Sequence, residues 1–175
     1  EYDAVFANYP LAMKARNLDS IGEEYLRRLS DRDQDYTKLS SMDWVFNRKA
    51  YDCVSGPGRV ICIMANGSTW NTIDKRVRRS FLDRGIVEMV ITLPGRIYDG
   101  MGVATSMIVF SHGHTNVKMV DASEECEKGR RMNIITDDNI SHILEACSKE
   151  TKISRIVSCE EIAANDYNFS PNLYL

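Results

Sequence analysis

The sequence predicts an α/β domain built on a doubly wound, Rossmann-like sheet that is mostly parallel and carries an antiparallel edge hairpin. The continuous apolar run Val60–Met64 lacks polar alternation, which is typical of a strand that helices cover on both faces, and the mainly apolar run Ile86–Leu93 is the next strand. Amphipathic segments lie between these runs, and strand–helix alternation favours parallel strands with right-handed crossovers. The element order corresponds to the second, C-terminal half of such a sheet, which leaves one flank open.

The first strand, near Val5–Ala7, is expected to end in a rigid turn at Pro10. Proline has no backbone N–H to donate to a sheet, and it restricts the preceding residue to extended geometry. Residues 14–40 are densely charged and predict a surface insertion that contains one short helix, around Glu23–Leu29.

Two amphipathic helices and a hairpin follow. Apolar residues recur at helical spacing from Met42 to Gly56-Pro57-Gly58, which is expected to end that helix, and again over Thr72–Arg84. The strands Val103–Phe110 and Val117–Val120 are joined by a short loop rich in turn formers, which favours an antiparallel hairpin.

Composition argues against several classes of protein. Lys and Arg total 22 against 25 for Asp and Glu, so the net charge of −3 does not support nucleic-acid binding by bulk positive charge. No apolar run approaches the roughly 20 residues that span a bilayer. Five cysteines without C-x-x-C spacing favour reduced thiols in a cytoplasmic protein, and His112-Gly113-His114 has no further ligand at metal-site spacing. No metal site is expected.

The most informative motif is Asn8-Tyr9-Pro10-Leu11, which follows the first strand. Ligands of open α/β sheets bind at the carboxyl ends of the strands. An asparagine amide and a backbone carbonyl held by a stiff proline turn can bind an amino group on a planar heterocycle. Taken alone, the four residues also fit a plain strand-ending turn.

The sequence as a whole resembles the modification (methylase) subunit of type I restriction-modification systems, a family of N6-adenine DNA methyltransferases. That family has Asn-Pro-Pro followed by Phe or Tyr after the strand that corresponds to Tyr2–Ala7. The resemblance continues in order over nearly the whole chain, through Gly58–Val60, Asn66-Gly67, Ile86–Pro94, Gly102–Phe110, Val120–Ser123, Glu160–Ile162, Asn165–Asn168 and Tyr174.

The resemblance implies that Asn8 and the carbonyl of Tyr9 accept hydrogen bonds from the amine of a flipped adenine, which is methylated by S-adenosylmethionine. Pro10 keeps the turn stiff. This chain departs from the family at two positions: Tyr9 replaces the first proline, and Leu11 replaces the aromatic residue that stacks on the base.

A third departure concerns the cofactor. The family's glycine-rich cofactor loop lies upstream of the Asn-Pro-Pro motif, and only seven residues precede Asn8. We therefore assign no cofactor-binding residues and expect this chain by itself to be inactive. Residues 1–175 are interpreted as a single, partial methyltransferase catalytic domain, in which residues 121–175 form a C-terminal helical extension.

The resemblance also implies partners: DNA, a specificity subunit, possibly a restriction subunit, and the N-terminal half of the same polypeptide. The alternative is a non-catalytic, degenerate methylase module that serves as a subunit-interaction domain. A glycine-rich loop in the upstream sequence would favour the enzyme, and its absence would favour the interaction module.

Two side-chain groups outside the motif have competing interpretations. Trp70 follows a strand end and is the better candidate for an exposed functional aromatic residue, with core packing an equally good account of it, whereas Trp44 fits the core. The basic residues Lys75-Arg76 and Arg78-Arg79 are expected to be solvated surface residues, with phosphate contact as the less favoured alternative.

Overall fold

The computed structural model describes residues 1–14, 20–30 and 34–175. Residues 15–19 and 31–33, which belong to the insertion expected over 14–40, lie outside the described residues. The helices and strands are β1 (Tyr2–Asn8), α1 (Ser20–Leu29), α2 (Asp43–Tyr51), β2 (Val54–Ala65), α3 (Lys75–Asp83), β3 (Val87–Thr92), β4 (Thr105–Phe110), β5 (Asn116–Asp121), α4 (Asp137–Ser148), β6 (Ser154–Ser158) and α5 (Cys159–Ala164). Short 3-10 turns occupy Tyr36–Lys38, Asn66–Thr69 and Pro171–Leu173.

The described strands form one six-stranded mixed sheet in the order β1-β2-β4-β3-β5-β6. The pairs β1–β2 and β3–β5 are parallel, whereas β4 runs antiparallel to both of its neighbours and β6 runs antiparallel to β5. Four of these six strands therefore share one direction, and the predicted α/β class is confirmed.

The predicted hairpin between the strands now labelled β4 and β5 is wrong. β4 lies between β2 and β3, where Ile108 is opposite both Cys62 and Val90. All three side chains are fully buried. A central position covers the apolar side chains of β4, whereas an edge hairpin would leave them more exposed. The antiparallel pair at this edge of the sheet is β5 with β6.

The segment Gly56-Pro57-Gly58 does not end a helix. α2 already ends at Tyr51, and the three residues lie within β2, where the register with β1 jumps from Tyr2–Val54 to Ala4–Arg59. A Cβ at Gly58 would lie 2.9 Å from both the Ser55 carbonyl oxygen and the Val54 Cβ. Glycine is therefore required where the extra residues of β2 bulge out of the sheet.

The larger core cluster is centred on Trp44, which is fully buried as predicted. Its ring makes edge contacts with Phe81 and Phe169 at centroid distances of 5.1 and 6.2 Å, and its Nε1 donates to the Ser68 carbonyl at 3.0 Å. A smaller cluster around Ile91 forms a second core. Both contain sheet residues, so the sheet takes part in two separate cores.

β1 forms the other edge of the described sheet. Its side chains Tyr2 and Phe6 are each 64% exposed, so this edge of the described sheet has two uncovered aromatic side chains. Within the described residues, no helix combines the length and apolar content needed to cross a bilayer.

Candidate active site

The predicted motif lies at the carboxyl end of β1. Asn8 is the last residue of the strand, pairs with Ile63 of the parallel strand β2, and has an exposed side chain. Pro10 is exposed and Leu11 is half-buried in the turn that follows. The amide of Asn8 is thus accessible at the edge where parallel strands present ligand-binding groups.

The Tyr9 side chain is held within the fold. Its ring packs on Phe46 at a centroid distance of 4.7 Å, and its hydroxyl donates to Oδ1 of the buried Asn47 at 2.6 Å. Burial, reinforced by the nearby Cys62 and Asp43, raises the pKa of the Tyr9 phenol far above its ordinary value. The ring therefore anchors the turn to α2, and it is the backbone of Tyr9 that remains for contact with a ligand.

A buried carboxylate, Asp43, joins this turn to the loop after β2. Its Oδ1 accepts from the N–H of Ala12 at 3.1 Å, and its Oδ2 accepts from the Ala65 N–H at 3.0 Å and the Ser68 hydroxyl at 3.1 Å. Burial raises the pKa of the Asp43 carboxyl, and these hydrogen bonds oppose the rise. Ala12 has a positive φ of 52°, a conformation that is uncommon for a residue other than glycine.

The sequence interpretation did not select Asp43, although a signal was present. An acidic residue stands at the first position of α2, directly before Trp44, where a helix begins and the chain returns to the sheet. A carboxylate next to a large core residue indicates a hydrogen-bonding role when it is buried, because burial of an unpaired charge is costly.

Arg78 corrects the expectation that its basic cluster is solvated. This residue is 1% exposed, and its guanidinium donates to the carbonyls of Tyr167 at 2.7 Å, Asn71 at 2.7 Å and Ser68 at 3.3 Å. Burial lowers the pKa of Arg78 to about 10. Arg78 therefore binds the C-terminal segment to the Asn66–Thr69 turn, and its N–H groups are engaged by backbone rather than by phosphate.

A polar cleft of about 470 Å³ lies along the same edge of the sheet. Asn66, Thr92 and Asp121 line it from the carboxyl ends of β2, β3 and β5. The remaining lining residues are Trp70, Ser123, Asn168, Ser170, Asn172 and Leu173. Trp70 is 52% exposed, in agreement with its interpretation as an exposed aromatic residue.

The glycines of the chain do not form a dinucleotide-type cofactor cradle. Gly56 and Gly58 lie within β2, and Gly95, Gly100 and Gly102 lie between β3 and the strand β4. A cofactor turn instead places several glycines between a strand and the helix after it. The residues that the structure describes therefore do not fit the glycine-rich cradle that S-adenosylmethionine requires.

The fold and site together define an α/β domain of the methyltransferase type. The structure superimposes on a type I restriction-modification methyltransferase subunit from Streptococcus thermophilus with a TM-score of 0.82 and 26% identity, over 99% of this chain and 38% of that one. The model of the family described as N-6 DNA Methylase matches residues 1–175. The chain belongs to this N6-methylase family.

Curated relatives are similar over much of the chain. The methylase subunit of the type I restriction enzyme MjaVII from Methanocaldococcus jannaschii is 25% identical over 96% of this chain and 32% of its own length. The MpnII methylase subunit from Mycoplasma pneumoniae is 21% identical over 58% of this chain and 20% of its own length. The chain thus spans about a third of the first of these relatives.

Proposed function

We propose that residues 1–175 form part of the catalytic domain of a type I restriction-modification methylase, which transfers a methyl group to adenine N6 in DNA. The observation that carries this proposal is the accessible Asn8 amide at the carboxyl end of β1, followed by a turn that Asp43 and Tyr9 hold to α2. Membership of the N-6 DNA Methylase family supports the same reaction.

In this proposal, Asn8 Oδ1 and the Tyr9 carbonyl oxygen accept hydrogen bonds from the amino group of a flipped adenine. The two acceptors orient the nitrogen lone pair and stabilise positive charge as it develops on N6. Pro10 restricts the backbone that carries them. Leu11 stands where the resembling family has a stacking aromatic residue, so it supplies an apolar contact in place of a ring.

S-adenosylmethionine supplies the methyl group. Because the described residues do not fit its cradle, the cofactor is assigned to a part of the protein outside this chain. DNA, a specificity subunit and a restriction subunit are the proposed partners, and the β1 edge is the proposed contact with the preceding half of the sheet. The proposed subunit partners are supported by the similarity of this chain to methylase subunits of type I systems.

The competing proposal is a degenerate module that only binds other subunits. Such a module would have no need for a rigid, solvent-accessible amide at the strand end. In this chain, a buried carboxylate, a tyrosine hydroxyl and a backbone hydrogen bond from Met42 N–H to the Met13 carbonyl at 2.8 Å all hold the turn that follows Asn8. This degree of preorganisation favours catalysis.

Replacement of Asn8 tests the proposal in the complete protein assembled with its partner subunits. We expect Asn8→Ala to lower N6-methyladenine formation on the order of 10²- to 10³-fold, because one preorganised acceptor is lost. Asn8→Asp retains an acceptor and is expected to be milder. Leu11→Phe, which introduces a stacking ring, is expected to maintain or raise activity.

The matched control is Asn116→Ala, because Asn116 is also exposed but lies at the amino end of β5. Its turnover and melting temperature should remain those of the parent protein. Full methylation by folded Asn8→Ala protein would refute the assignment of Asn8. A lower melting temperature with unchanged turnover per folded molecule would instead show that the turn is purely structural.

A further inference from the structure

The polar cleft has a lining that the proposed methyl transfer to adenine does not use. It lies beyond Asn66, at the ends of β2, β3 and β5, whereas Asn8 lies at the end of the edge strand β1. Its volume of about 470 Å³ is in the range of small-ligand sites. The cleft is therefore large enough for one planar heterocycle with its sugar.

The C-terminal side of the cleft is rigid. Arg78, itself buried, donates to the Tyr167 carbonyl at 2.7 Å, and the Phe169 N–H donates to the Thr69 carbonyl at 2.9 Å. Phe169 is fully buried against Trp44. These contacts fix the segment that carries Asn168 and Asn172 relative to the loop that carries Trp70, so the site is preorganised.

The hydrogen bonds of three asparagine amides determine which group each can present. Oδ1 of Asn66 accepts from the Ser106 hydroxyl at 2.7 Å, and Oδ1 of Asn168 accepts from the Ser170 N–H at 2.8 Å. Oδ1 of Asn172 accepts from the Ser170 hydroxyl at 2.6 Å. With each carbonyl oxygen engaged locally, the NH₂ groups are the donors left for a ligand.

Asp121 adds an acceptor and a negative charge. Its Oδ1 accepts from the Ser123 N–H at 3.0 Å, which holds the carboxylate at the end of β5. No lysine or arginine among the described residues lines the cleft. An anionic phosphate would therefore be repelled, whereas an uncharged base with a ring N–H would be complementary.

We propose that this cleft binds one unpaired, oxo-bearing nucleobase, guanine or thymine, of the DNA strand, at a position other than the adenine that is methylated. The base stacks on the exposed Trp70 ring. Its carbonyl oxygens accept from the asparagine NH₂ groups, and its ring N–H donates to Asp121. Thymine can present two carbonyl oxygens and a ring N–H to this lining. Adenine can offer only its N6 amine to Asp121 and its ring N1 to one asparagine NH₂, so the cleft favours thymine by at least one hydrogen bond. The proposal rests on the proposed function, because that function supplies the DNA strand.

The test measures binding by the complete, assembled protein to single-stranded oligothymidylate and oligodeoxyadenylate. The parent protein is expected to prefer oligothymidylate. Trp70→Ala should weaken that binding about 5- to 160-fold, the range for the loss of one base–aromatic stack. Trp70→Phe should retain most of it. Asp121→Asn should reduce the preference over oligodeoxyadenylate. Tyr25→Ala is the matched control, because Tyr25 is an aromatic residue of α1 that is 40% exposed and does not line the cleft.

Photo-crosslinking gives an independent readout. DNA that contains 5-iodouracil should form an adduct with Trp70, mapped by mass spectrometry, and Asn8→Ala protein should form the same adduct although its methyl transfer is impaired. If the parent protein forms the adduct but methylates no adenine, the proposed function is refuted and the cleft assignment stands.

Three results would overturn the cleft assignment. Equal oligothymidylate affinity in the parent and Trp70→Ala proteins would exclude stacking. Competition by S-adenosylmethionine would assign the cleft to an adenine-bearing cofactor. Free thymidine and guanosine monophosphates that bind as tightly as the oligonucleotide would assign it to a mononucleotide rather than to a DNA strand.

Discussion

Asp43 offers the sharpest test of how the candidate active site is held together. The perturbation is Asp43→Ala, which removes the acceptor shared by Ala12 N–H, Ala65 N–H and the Ser68 hydroxyl. The Ser68 hydroxyl can turn to the Ser41 hydroxyl, whose oxygen is 3.5 Å away. The two backbone N–H groups cannot turn in this way, so they lose their acceptor.

The expected magnitude follows from these two groups. The buried Ala65 N–H is left without an acceptor, which costs about 1–3 kcal/mol, whereas Ala12 is exposed and water can hydrate its N–H. Burial destabilises the charged form of the Asp43 carboxyl group, so its removal by mutation offsets part of this cost. We therefore expect Asp43→Ala to lower the free energy of unfolding by about 1–3 kcal/mol, and Asp43→Asn, which retains one acceptor oxygen, by less.

The assay is urea unfolding of the complete protein, combined with methyl-transfer kinetics below the unfolding transition. Because Asp43 holds Ala12 in the turn that follows Asn8, turnover by the folded Asp43→Ala protein should also fall. Asp52→Ala is the control, since Asp52 is a surface aspartate that pairs with Arg48 at the end of α2. A loss below about 0.5 kcal/mol for Asp43→Ala, the size of an ordinary surface substitution, would refute the reasoning.

The difference in stability between the parent protein and Asp43→Asn should depend on pH with a defined sign. A carboxyl whose pKa is higher in the folded protein than its ordinary value of 3.8 binds its proton more tightly when folded. Its contribution to stability is therefore fully present below the ordinary pKa and declines as the pH rises through the folded pKa. The stability of the parent protein relative to Asp43→Asn should fall over that interval, and a rise would contradict the raised pKa.

Two further predictions concern buried groups. Arg78→Met should lower the free energy of unfolding by about 3–5 kcal/mol, because three backbone carbonyls lose a charged donor. In the same urea-unfolding experiment, Arg76→Met, a change at an exposed arginine, should cost less than about 0.5 kcal/mol. Equal losses for the two variants would contradict the burial of Arg78. Cys62 is fully buried and burial raises the pKa of its thiol to about 12, so iodoacetamide should modify the half-buried Cys53 first and reach Cys62 only on unfolding, as judged by peptide mapping. Modification of both cysteines at one rate in the folded protein would contradict this expectation.

The interpretation of the sequence was strongest where one short segment contains its own determinants. Thr136 caps α4 with a side chain of its own segment, because its hydroxyl accepts from Asn139 N–H within the same turn. Ser158 caps α5 in the same way through Glu161 N–H. The burial of a helix face is less predictable: Ile140 and Leu144 recur at helical spacing in α4 but are 43% and 63% exposed. Periodicity locates an apolar face without specifying what covers it.

The sequence by itself determined the α/β class, most strand and helix positions, and the Asn8 turn at the end of β1. These depend on the side-chain period, on Pro10 and on short capping motifs, all of which act between near neighbours in the chain. Only the tertiary structure decided that β4 lies between β2 and β3 and that Arg78 is buried under the C-terminal segment. Strand order and the partners of buried polar groups depend on contacts between residues distant in sequence, such as Arg78 and Tyr167, and no local pattern encodes those contacts.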